Sequence, residues 1–82
     1  MTEKDLSGPA LIWCPCPDGS VAEAISVEML DERLVACANI LGPVRSLFIW
    51  QGERGVAEEF GVLFKTDAAR LDRAVARLAE LH

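Results

Sequence analysis

Three cysteines and a single histidine are the residues of this chain best suited to chemistry. Two of the cysteines stand as Cys14-Pro15-Cys16, a C-x-C arrangement. Thiolates are soft ligands that favour Cu(I) or zinc. His82 is a borderline ligand for Cu(II) or Zn(II). A structural metal site usually takes four ligands, however, and there is no second cysteine pair to supply them. A disulfide between Cys14 and Cys16 would be strained at this separation. The plain alternative makes Cys14 a small buried apolar residue, Cys16 incidental and His82 solvated and idle. Cys37, between Ala36 and Ala38, reads as core filler. Trp13 and Trp50 read as core or subunit contacts, with ligand stacking as the sharper alternative. Lys65 closes a strand, where a surface lysine is ordinary. The chain offers no Ser-His-Asp set, no Gly-rich phosphate loop and no H-E-x-x-H. A Cys-His dyad can be composed in principle, but no spacing singles one out.

The elements that must hold these residues can be read along the chain. Residues 1–7 are a polar lead-in of mixed charge, and Gly8-Pro9 opens a strand over 10–14. Its continuous apolar run suits a buried central strand, and Pro15 and Pro17 are expected to stop it. Pro17-Asp18-Gly19 reads as a turn. Ser20 and Glu23 have capping-box spacing, so Ser20 is the expected N-cap of the first helix. Ala22, Ile25, Met29, Leu30 and Leu34 give that helix its apolar stripe. Residues 36–41 form a short apolar run that Gly42-Pro43 breaks. Residues 44–50 are a second strand, residues 51–56 carry a tip near Arg54-Gly55, and 60–66 return. Gly61 is odd inside a strand and marks a bulge or a close approach. Thr66-Asp67 caps a second helix whose stripe is Leu71, Ala74, Val75, Leu78 and Leu81. The order is strand, helix, strand, strand, helix: a ferredoxin-like α+β plait whose final strand is missing.

Composition narrows the function. The chain has 82 residues and is 51% hydrophobic, hence a single domain. A chain this size buries roughly 60–65% of its unfolded surface, so it is marginal alone and wants a staple or a partner. Its net charge of −5 argues against a nucleic-acid ligand, which needs a basic face. No run approaches the ~20 apolar residues that span a bilayer, so no membrane partner is expected. The N-terminus lacks a secretory pattern, and an odd cysteine count suits a reducing compartment. The cytoplasm is the expected location.

One segment carries a family resemblance. Glu32-Arg33-Leu34, Ala36-Cys37, Asn39-Ile40, Ser46, Trp50, Gly52, Glu59 and Lys65-Thr66 resemble, without a gap, the pattern of the CutA family of divalent-cation tolerance proteins. The likeness runs over about residues 10–82, leaving 1–9 as a lead-in. It implies a non-enzymatic homotrimer that binds copper or a related divalent metal, Cu(II) among them, with no metal required for folding. It raises Cys14 above Cys16 and places His82 near it, giving an expected metal pair of Cys14 and His82. Family members continue past a similar His into a Pro-Tyr segment and another strand, so the sequence resembles a C-terminally truncated member. It also departs from the pattern at Pro15, Phe48 and Gly61. Two other readings stay open: a thiol redox protein or enzyme using Cys14 and Cys16, and an interaction module with a defunct site.

Overall fold

The computed structural model describes residues 8–82. The expected lead-in over residues 1–7 lies outside them. Five elements follow in the expected order: β1 (Pro9–Cys16), α1 (Gly19–Asp31), β2 (Cys37–Trp50), β3 (Glu53–Asp67) and α2 (Ala68–Leu81). The three strands form one antiparallel sheet in the order β1-β3-β2. The apolar run of β1 suits a central strand, between or beside the hairpin strands; the structure sets it beside them, at the edge. β3 is central.

Pro15 does not stop β1, which runs on through Cys16 with Pro15 opposite Gly61. An edge strand tolerates proline when the missing N–H faces away from its neighbour. The direction is fixed by Gly8, whose carbonyl accepts from Ala68 N–H at 2.9 Å on the β3 side. Alternation then turns the backbone of Leu11, Trp13 and Pro15 to the free edge.

Three sequence expectations change at the turns. The N-cap of α1 is Asp18, not Ser20: its carboxylate accepts from Val21 N–H at 2.9 Å. Gly42-Pro43 does not separate two strands. β2 passes straight through it with a bulge, Leu41 opposite Gly61 and Val44 opposite Glu59. The hairpin tip is Gln51-Gly52 rather than Arg54-Gly55, which lie inside β3. Gln51 and Gly52 have φ of 51° and 81°, as a two-residue type I′ turn between antiparallel strands requires. The second helix keeps its expected cap, with Asp67 accepting from Arg70 N–H at 2.9 Å. Thr66 is freed to donate to Leu34 carbonyl at 2.7 Å.

Both helices cover one face of the sheet. Ala22, Ile25 and Met29 of α1 and Ala74 and Leu78 of α2 are buried against Val62 and Phe64 of β3. Leu30 and Val75, expected in the helix stripes, are 41% and 49% exposed, so each helix buries a narrower face. Arg77 of α2 clamps Glu32 at the end of α1, its Nε and Nη2 donating at 2.9–3.0 Å. Cys37 is half-buried, not core, and its Sγ donates to Asn39 Oδ1 at 3.8 Å. Trp13 and Trp50 are 50% and 70% exposed, so neither is a core residue of the single chain. Gly61 is explained by Trp13: a Cβ there would fall inside the indole ring.

Candidate metal centre

Cys14 and Cys16 are two apart on β1, and a strand sends alternate side chains to the same face. Both are buried on the helix side of the sheet. α2 brings His82 to the same place as its C-cap residue, with the His82 N–H bonded to Leu78 carbonyl at 2.8 Å. One ring nitrogen of His82 and the two sulfurs all lie within 4.8 Å of one another. The expected pair of Cys14 and His82 is thus joined by Cys16. The signal for Cys16 was in the sequence: once β1 continues through Pro15, C-x-C spacing puts both thiols on one face.

The residues fit a metal ion. Donors sharing one zinc, with bonds of about 2.0–2.3 Å, stand roughly 3.5 Å apart, and the three donors here lie within 4.8 Å of one another, so the set has to draw in to share one ion. Two sulfurs and an imidazole are a soft to borderline set. No fourth His, Cys, Asp or Glu joins the cluster among the described residues. Beside it runs an open groove of about 520 Å3, lined by Trp13, Glu59, Val75, Leu78, Ala79 and His82.

The electrostatics keep the thiols protonated without a metal. Burial pushes Cys14 up, and its hydrogen bond with Cys16 only partly offsets this. Cys16 is pushed up to about 11, first by burial, then by Cys14, Glu59 and Asp18 nearby. Cys16 Sγ points at the Cys14 carbonyl, 3.7 Å away. The imidazole also has a backbone contact: its Nε2 lies 2.6 Å from the Pro15 carbonyl oxygen.

Fold and cluster together define a small α+β plait protein with a thiol–imidazole site at the sheet edge. The CutA1 divalent ion tolerance protein family matches residues 10–82, and the chain belongs to that family. A divalent-cation tolerance protein CutA of Pectobacterium atrosepticum is 29% identical over 82 residues, which is all of this chain and 74% of that protein. The CutA of Archaeoglobus fulgidus is 31% identical over 71 residues, 87% of this chain and 69% of its own. Among solved structures, CutA from Xylella fastidiosa superposes with a TM-score of 0.88 at 39% identity, covering 93% of this chain and 73% of that one. CutA1 from Oryza sativa, at 21% identity and a TM-score of 0.89 over 94% of this chain and 71% of its own, shares the fold.

Proposed function

We propose that this chain is a non-enzymatic metal-binding member of the tolerance family, holding copper or a related ion at Cys14, Cys16 and His82. The observation that carries this is the convergence of two buried sulfurs and one imidazole within 4.8 Å. The family name supports the ion class, and the sulfur-rich donor set favours copper or zinc over magnesium or calcium. Thiols held protonated are poor nucleophiles, which weighs against a thiol enzyme.

The working form is a homo-oligomer, a trimer in our reading. The projecting hairpin supports it: Leu47, Ile49 and Trp50 are each at least 70% exposed. Apolar area of this kind marks an interface. We also assign the protein to the cytoplasm, on its three free cysteines. The A. fulgidus structure is described as periplasmic, so cell fractionation is the direct check.

Metal titration tests the site. Copper affinity is measured for the wild type, Cys14→Ser, Cys16→Ser and His82→Ala under anaerobic conditions. Each variant is expected to bind more weakly. Equal affinity in all four proteins would defeat the proposal.

A further inference from the structure

The Pro15 carbonyl is not a neutral bystander at this site. A carbonyl oxygen has no proton, so a contact of 2.6 Å with His82 Nε2 requires that Nε2 be the donor. A neutral imidazole with its proton on Nε2 keeps its lone pair on Nδ1. That carbonyl is available because Pro15 sits on the edge of β1 away from β3, where among the described residues no strand pairs with its oxygen and its missing N–H costs no ladder bond. Proline also fixes φ between the two thiols. C-P-C followed much later by His82 thus sets the sulfurs on one face and brings one ring nitrogen of His82 within 4.8 Å of them.

The geometry points to Pro15 as a positioning residue: its carbonyl holds Nε2–H of His82 and leaves Nδ1 as the metal-ligating atom. This rests on the metal reading above. A backbone carbonyl behind a ligating histidine fixes its tautomer and ring orientation, and losing such a partner costs about 10–100-fold in metal affinity.

His82 can be replaced through a synthetic C-terminal segment ligated to the rest of the full chain. Three forms are compared: unmodified, methylated on Nδ1 and methylated on Nε2. The probe is Cd2+, a soft diamagnetic ion, followed by competition titration and by cadmium–nitrogen coupling in NMR. The unmodified chain should show coupling to Nδ1. Methylation of Nε2 should weaken binding about 10–100-fold but keep the Nδ1 coupling in the bound form. Methylation of Nδ1 should reduce binding to the level of His82→Ala. Coupling to Nε2, or tight binding by the Nδ1-methylated form, overturns the inference while leaving the metal reading intact. No Cd2+ binding by the unmodified chain overturns ligation through Nδ1 and counts against the metal reading as well. The metal-free ring is checked separately by its nitrogen shifts. A proton on Nε2 supports the Pro15 contact, and one on Nδ1 overturns it.

Discussion

His82 Nε2 and the Pro15 carbonyl, 2.6 Å apart, tie the end of α2 to the free edge of β1. The candidate donors therefore come from two elements that share no backbone hydrogen-bond ladder. Their spacing depends on how α2 packs on the sheet, through Ala74 and Leu78.

Metal binding should strengthen as pH rises. Cys14 and Cys16 are both held above the ordinary thiol value, so a metal must displace a proton from each. Affinity should climb by about two log units per pH unit below the thiol range, the slope of two released protons. Titration from pH 6 to 8 measures it, and a flat profile would mean the thiols are not ligands. Without metal the linkage runs the other way. The Cys16 value of about 11 lies above its ordinary 9.0. Its contribution to stability is complete below 9.0 and is lost as pH rises toward 11.

Alkylation should separate the cysteines. Cys37 is half-buried at the sheet surface, while Cys14 and Cys16 are buried. In the folded protein near neutral pH, Cys37 should label first, and the other two should label only on unfolding. Mass spectrometry of labelled peptides reads the order. Rapid labelling of Cys14 or Cys16 would revive the thiol-enzyme reading.

Gly61→Ala should destabilise the protein by about 1 kcal/mol, because the new methyl displaces the Trp13 ring. Trp13 is half exposed and can swing out, which keeps the cost at the low end. Denaturant unfolding gives the change, and a red shift of indole emission should accompany it. The same substitution in a Trp13→Ala background should cost clearly less.

Arg77→Ala should release Glu32. The Arg77 guanidinium, the largest influence, holds the Glu32 carboxyl below its ordinary value, and hydrogen bonding with Glu28 adds to this. Glu28 is raised, by its hydrogen bond to Glu32 and then by that neighbour's charge. A pH titration followed by carboxyl carbon shifts should show Glu32 moving up in the variant. The stabilisation tied to Glu32 is present above its ordinary value and lost as pH falls through the lowered one. That part of the acid limb should flatten in Arg77→Ala.

Trp50→Ala should dissociate or unfold the oligomer. Sedimentation equilibrium over a range of concentrations decides both parts. A folded wild-type monomer at every concentration would defeat the trimer reading, and Trp50→Ala would then cost little.

Much of this was legible in the sequence, and the misreadings have physical causes. Periodicity placed both helices, and the expected Thr66-Asp67 cap resolves to Asp67. Ser20 and Asp18 are both good caps, and only geometry shows which oxygen reaches the Val21 amide. Gly42-Pro43 looks like a break because strand partners are invisible in sequence. Pairing with β3 on both sides holds β2 together across it. Residues 53–59 hold three Glu and one Gly and lack a strand pattern, yet they pair because Gln51-Gly52 turns the chain so tightly. At the site, Cys14 and His82 came from resemblance. Cys16 follows from strand alternation, and the Pro15 carbonyl from no sequence signal at all.

The strand order has a consequence for how the chain comes into being. β3 pairs with β2 through a two-residue turn, but it pairs with β1 from the far end of the sequence, Pro9 against Asp67. Local hairpins close quickly, and distant pairings wait on the entropy of a long loop. During synthesis β1 leaves the ribosome long before its partner exists. Cys14 and Cys16 are thus made well before the strand that pairs with theirs, and are among the last residues of the sheet to be covered. Oxidants and free metal reach these thiols most easily in the interval before β3 and α2 have been made and packed over them.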